Sequence, residues 1–291
     1  MTLTEIHHLA PVVTLTGAVV LGLLIGSFLN VVIYRLPALL FREWRQSAKD
    51  VLAEPEIPLP ERFNLAFPRS HCPNCKAPIS ALQNIPVLSY LVLGGRCANC
   101  KTPISKRYPV IEAITGALSL LIIWRLGVGP AGILGLVFLW ALICLTMIDI
   151  DTQLLPDNIT LPLLWVGLLA NTFGTYTDLN SAIWGAAAGY LSLWCVYWVF
   201  KLVAKKEGMG YGDFKLLAAL GAWMGWQYLP VIIMLSSLVG AVVGGVGMVL
   251  AGRDKDFRIP FGPYLAGAGL LAFLWGQELI DWYFNVAGLK H

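Results

Sequence analysis

The sequence predicts an all-α polytopic membrane protein, a bundle of about eight transmembrane helices carrying a small cytoplasmic domain of the zinc-ribbon type. Three observations lead there. Of the 291 residues, 57% are hydrophobic and only 13% charged, and the mean hydropathy of +0.71 is well above that of a soluble domain of this length. The apolar residues fall into runs of bilayer length, bounded by charge, glycine or proline. The one long polar stretch that interrupts them carries four cysteines in two C-x-x-C pairs.

The runs lie near 12–36, 108–126, 131–150, 157–174, 182–203, 213–226, 229–251 and 260–285, the sixth being short. The first, Val12 to Leu36, has about 25 residues and no basic segment before it, so it reads as a membrane span rather than a secretory signal. A net charge of +3 is too small to argue for a nucleic-acid partner, and the placement of the charges says more. The segments between Arg35 and Pro109, around Lys205 and around Arg253 fall on one side and hold Arg42, Arg45, Arg69, Arg107, Lys206 and Arg258 among others. The other side has only Arg125 and Lys290. By the positive-inside rule the basic side is cytoplasmic, which places both termini outside, in the periplasm of a Gram-negative cell, and requires an even helix count.

This gives three regions: a first transmembrane helix over 1–36, a cytoplasmic domain over 37–107, and a transmembrane bundle over 108–291. Within the middle region, Arg42 to Asn64 mixes Trp44, Val51, Leu52 and Leu59 with charges of both signs. It reads either as a segment on the membrane surface or as a flexible linker. The second part is built on Cys72, Cys75, Cys97 and Cys100, two pairs separated by a hairpin-length stretch. Four thiolates complete a tetrahedral shell and leave no position for water, so a zinc ion there is structural. Two disulfides are the alternative, disfavoured by a reducing cytoplasm. Cys144 and Cys195 read as small core residues, and His71 is superfluous to a site already filled.

Ionisable groups at membrane depth are functional candidates because their desolvation is costly. Asp149 closes the third run just before Asp151, and Asp213 opens the sixth behind Gly210-Tyr211-Gly212. In an even-numbered bundle both reach the cytoplasmic layer. A pair of carboxylates sharing one proton can activate water and protonate a leaving amine, the chemistry of aspartyl proteolysis. On this reading Gly210 and Gly212 supply backbone freedom and room for a substrate strand. The bland alternative is that Asp213 caps a helix N-terminus and Asp149 marks an interface. Asp157, just past Pro156, reads as the cap of the fourth helix.

Together these motifs resemble the type IV prepilin peptidases, also called leader peptidase/N-methyltransferases. The resemblance runs through Gly26 to Pro37, Ser70 to Cys75, Asn84 to Tyr90, Gly95-Arg96-Cys97, Ser105 to Pro109, Glu112, the Asp149 segment, Gly210 to Lys215 and Ile259 to Tyr264. It implies removal of a short basic leader from type IV prepilins and type II secretion pseudopilins, cut after a glycine on the cytoplasmic side of the inner membrane, with Asp149 and Asp213 as the catalytic pair. It also implies methylation of the new N-terminal residue with S-adenosylmethionine. For that cofactor the chain shows no strand followed by Gly-x-Gly-x-x-Gly, and 37–107 is short for a doubly wound domain. Gly95 and Glu112 are candidates by position only. Gly95 reads equally as a tight turn, and Glu112 as a polar group paired with Arg107.

Other classes fit less well. A transporter would hold its acidic residues near the midplane and repeat its first half in its second. A zinc metalloprotease needs His-Glu-x-x-His, which His7, His8, His71 and His291 do not form. The presenilin-like proteases share the Gly-x-Gly-Asp element, but their Tyr-Asp and Pro-Ala-Leu patterns are missing here.

Overall fold

In a bilayer, apolar runs can satisfy their backbone polar groups only by bonding to themselves, and here they do so as helices. The computed structural model describes residues 10–49, 63–206, 208–251 and 260–286. Val51, Leu52, Leu59, Arg253, Arg258, Lys290, His7, His8 and His291 lie outside the described residues. Among those described, nine α-helices follow one another: α1 (Pro11–Lys49), α2 (Leu88–Val92), α3 (Arg107–Leu126), α4 (Pro130–Thr152), α5 (Asp157–Asn171), α6 (Leu179–Ala204), α7 (Tyr211–Met224), α8 (Leu229–Ala251) and α9 (Gly262–Val286). All but the short α2 correspond, in order, to the eight apolar runs.

Among the described residues, five spans are long and apolar enough to cross a membrane: Pro11–Ala48, Arg107–Leu126, Pro130–Thr152, Leu179–Ala204 and Trp226–Gly247. Helices α5 and α7 have 15 and 14 residues. At 1.5 Å per residue they reach only about 21–22 Å, short of a hydrocarbon core of about 30 Å. Helix α9 has 25 residues but departs from helical geometry at Trp275.

Contacts group the chain into two compact units, Met1–Gly132 and Ile133–His291. In the first, α1 and α3 pack along one another. Gly22 and Gly26, one turn apart on α1, meet Gly116, Ser119 and Glu112 of α3 so closely that a Cβ on either would collide. Small residues at such crossings let apolar helices gain van der Waals contact. Helix α1 does not stop at Leu36 but runs through Pro37 to Lys49. Its buried Arg35 donates from Nη1 to the carbonyls of Asn64 (2.8 Å) and Leu65 (3.3 Å) and from Nη2 to that of Pro68 (2.6 Å), anchoring the following segment. From there to α3 the described chain forms no strand, only turns, a 3-10 turn at Leu82–Asn84, α2 and two isolated bridges.

In the second unit α7 is the central helix, with eleven of its 14 residues buried. Helices α5, α6 and α9 surround it. Gly185 of α6 and Gly221 of α7 face each other with no room for a side chain on either, so the two backbones touch. Trp223 is fully buried, donates from Nε1 to Leu163 O (2.8 Å), and meets the rings of Phe138 and Tyr176 at 4.7 and 5.4 Å. Asn171 closes the end of this core by donating to Ala222 O and Trp223 O (2.9 and 3.0 Å) and accepting from the Tyr176 and Thr177 amides (3.0 and 3.2 Å). A fully bonded buried amide is worth its place, whereas a half-bonded one would be costly. Helix α8 packs chiefly on α9.

Candidate active site and metal centre

Asp149 sits in the last turn of α4 and Asp213 in the first turn of α7, 5% and 7% exposed. The Asp149 carboxylate lies close enough to act electrostatically on Asp213. Two helix ends far apart in sequence thus bring two buried carboxylates within electrostatic range of each other. Asp149 Oδ2 accepts a hydrogen bond from the Gly262 amide at 3.0 Å. That amide is available because Gly262 opens α9, where first-turn N–H groups have no helical partner. A Cβ on Gly262 would lie 2.7 Å from Asp149 Oδ2, so the approach requires glycine. The Asp213 amide donates to Gly210 O at 3.3 Å, and Asp213 Oδ1 is buried with no hydrogen-bond partner among the described residues. Such an acceptor is expensive unless a water or a substrate meets it.

The two glycines before Asp213 differ in their surroundings, with nothing nearer than 3.9 Å to a Cβ built on Gly210. Gly210 has an ordinary extended backbone (φ −84°) as the residue preceding α7, and Gly212 also avoids the left-handed region. A Cβ on Gly212 would lie 2.7 Å from Leu155 Cβ, so its small size lets the helix start pack against Leu155. Asp151 is exposed where Asp149 is buried. Asp157 does not cap α5. It is the first helical residue, behind Pro156, and both its carboxylate oxygens take Lys215 Nζ at 2.7 Å. A cavity of about 350 Å³ in this unit is walled by Val196 of α6, Ser237 and Ala241 of α8, and Phe261 and Tyr264. Met209 and Phe261 in its lining directly precede Gly210 and Gly262.

The four cysteines come together in the first unit, with all Sγ atoms within 4.8 Å of one another. Cys72 and Cys100 approach to 3.7 Å and Cys75 and Cys97 to 4.0 Å. A tetrahedral ion with metal–sulfur bonds of about 2.3 Å has S···S edges of about 3.8 Å, so the group fits a metal. All four thiols are free. The Thr102 hydroxyl and amide hold the Cys100 thiol down to about 5, and the Ala77 backbone and Asn99 amide hold Cys75 below the ordinary value of 9.0. Metal ligation needs the thiolate these contacts favour. His71 stands apart, bonded through Nδ1 to Arg69 O (3.0 Å).

Gly95 and Glu112 also lie in this unit. Gly95 has φ +66°, its amide donates to Tyr90 O (2.8 Å), and a Cβ would strike the Tyr90 phenol. It is a turn glycine by geometry. Glu112 is buried, and its Oε2 accepts from the Val87 amide at 2.8 Å. Val87, at φ +61°, is a β-branched residue in left-handed backbone, and the carboxylate holds that turn in place. The segment's described residues form no doubly wound nucleotide fold.

Sequence reasoning missed Gly262 as a partner of the dyad and Lys215 as the partner of Asp157. The Pro-Phe-Gly-Pro run at a helix start carried the first signal, since a helix opening behind glycine offers a free amide. The second had no local signal.

Residues 20–126 match the model of the bacterial peptidase A24 N-terminal domain, and residues 136–245 that of the type IV leader peptidase family. The chain is 51% identical to the prepilin leader peptidase/N-methyltransferase of Stutzerimonas stutzeri over 289 residues, 99% of this chain and 100% of that protein. It is 51% identical to the protein of that name from Pseudomonas aeruginosa over 282 residues (96% and 97%) and 46% identical to that from Legionella pneumophila over 262 residues (90% and 91%). No solved structure matches the chain.

Proposed function

Because the chain belongs to the type IV leader peptidase family and is a membrane aspartyl endopeptidase, we propose that Asp149 and Asp213 are the carboxylates with which it cuts prepilin and pseudopilin leaders. The observation that carries this is the burial of both carboxylates within mutual reach, one fixed by the Gly262 amide and the other with a free oxygen. With one proton shared between them, the ionised carboxylate takes a proton from water as its oxygen adds to the scissile carbonyl, and the protonated partner hydrogen-bonds the carbonyl oxygen. The C–N bond then breaks and a carboxyl proton passes to the leaving amine. The apolar cavity that Met209 and Phe261 help to line, one residue before Gly210 and Gly262, suits the apolar stretch of a membrane-held substrate.

The reading further places the enzyme in the bacterial inner membrane, with the cysteine domain and the dyad on the cytoplasmic side and both termini periplasmic, following the charge distribution. The metal is zinc, held by Cys72, Cys75, Cys97 and Cys100 as a structural ion. The second activity is N-methylation of the new N-terminus, for which S-adenosylmethionine supplies the methyl group when bound. Incubating purified protein with a prepilin, with and without S-adenosylmethionine, and weighing the products tests both activities. Leader loss without the cofactor and one further methyl mass with it are expected. An uncut substrate overturns the peptidase reading, and cut but never methylated product overturns the second activity.

A further inference from the structure

The two cysteine turns are copies of one another. Cys72-Pro-Asn-Cys-Lys-Ala-Pro-Ile-Ser80 and Cys97-Ala-Asn-Cys-Lys-Thr-Pro-Ile-Ser105 agree at seven of nine positions. Their backbones repeat bond for bond. The Cys72 amide donates to Ala77 O and the Cys97 amide to Thr102 O, each at 2.9 Å, while Lys76 and Lys101 turn the chain at φ 59° and 60°. Ile79 donates to Ser70 O (2.9 Å) and Ile104 to Gly95 O (2.8 Å), closing each turn in the same way.

In each copy the residue before the second cysteine is asparagine, and its side chain does not serve its own turn. Asn74 Nδ2 faces Cys100 Sγ at 3.7 Å, and Asn99 Nδ2 faces Cys75 Sγ at 3.6 Å. The two contacts cross, each running to the second thiolate of the other turn. We infer that Asn74 and Asn99 are positioning residues of the metal site, each clamping the opposite turn's second cysteine into ligating position. The inference rests on the reading that the four thiolates hold a metal. Four thiolates on a divalent ion carry a net charge of roughly −2, and N–H donors facing sulfur offset part of it. Crossing also makes each turn's geometry depend on the other. The copies differ where the first has Ala77 and the second Thr102. Asn74 Nδ2 therefore also donates to Thr102 Oγ1 (2.8 Å), which lies 3.2 Å from Cys100 Sγ. Asn74 thus holds two partners and Asn99 one.

The test uses the full-length protein in detergent, loaded with zinc, and follows zinc release to a chromogenic chelator for wild type, Asn74→Ala, Asn99→Ala, the double variant and Asn84→Ala. Asn84 lies in the same segment and donates only its backbone amide to Ala81 O, so it serves as the control. Each single variant should release zinc at least about tenfold faster, the scale on which outer-shell partners act. Asn74→Ala should exceed Asn99→Ala, and Asn84→Ala should match wild type. Asn74→Asp and Asn99→Asp, which keep the shape but lose the donor, should behave as the alanine variants do. Cobalt-substituted variants should keep tetrahedral tetrathiolate spectra with shifted sulfur-to-metal bands, a signature that a merely misfolded domain would not give. Release at the wild-type rate from all the asparagine variants, with metal bound, overturns the inference alone. Wild-type protein that binds no metal overturns the four-thiolate reading, and the inference with it.

Discussion

From Cys72 to Cys100, Cys72 and Pro86 are the buried residues, whereas eleven of the 14 residues of α7 are buried. The two regions are therefore held by different forces. The cysteine turns have almost no apolar interior; backbone bonds close them, and four thiolates in them are grouped closely enough to hold a metal ion. Helix α7 is held by packing on three neighbours, and its polar atoms are few and satisfied except at Asp213. A domain built on ligands can be dismantled chemically with the rest intact. A helix built on packing cannot.

The largest expected effect lies at the dyad. Asp149→Asn and Asp213→Asn should each lower leader cleavage by about 10²–10⁴-fold, since an amide cannot exchange the proton. Both should stay folded and methylate a pre-cleaved substrate. Asp151→Asn should keep most of the activity. A dead Asp151→Asn beside an active Asp149→Asn in the same cleavage assay would overturn the assignment.

Next comes Trp223→Ala, expected to destabilise the packed unit by about 3–5 kcal/mol, as loss of a buried tryptophan does. Its metal content should not change. Conversely, Cys72→Ser or chelation should expose 70–107 to limited proteolysis while the melting of the bundle is preserved. Methylation should then suffer more than cleavage. If chelation collapsed both regions together, the contrast between them would be wrong.

Gly262→Ala should cost activity rather than stability. A methyl group there displaces the Asp149 carboxylate, and misplacement of a catalytic group by about 1 Å can cost on the order of a hundredfold in rate. The smallest effect is at Asp178, which caps α6 by accepting from the Ser181 amide at 2.9 Å. Its replacement by alanine should lower the melting temperature slightly, by the loss of this cap. The Ser181 side chain and amide hold this carboxyl below its usual 3.8. The folded state thus favours the ionised form. Its contribution is complete above the ordinary value and disappears as pH falls through the lowered one, so wild type and Asp178→Ala should converge in acid.

Much of this was legible in the sequence because each feature had a local signature. Asp149 and Asp213 stood out as charges beside apolar runs, and the cysteines by their spacing. The end of α1 was not legible, because Pro37 and the loss of apolar residues both look like a stop, yet the helix continues into the polar segment. The central place of α7 was hidden for another reason. A helix buried on all sides has no polar face to report its neighbours, and its shortness alone looked like a weak span. The Gly262 contact was invisible because the bond comes from a backbone amide, which every residue but proline owns. The Lys215–Asp157 pair joins residues 58 positions apart and depends on how α5 and α7 pack.

The central position of α7 also sets a clock. Its amides can meet solvent only when α5, α6 and α9 part from it, which is the opening of the whole unit, so residues 216–223 should be the slowest in the chain to exchange their hydrogens. Asp213 rides on the first turn of that helix. The carboxylate therefore keeps its aim for as long as the unit stays closed.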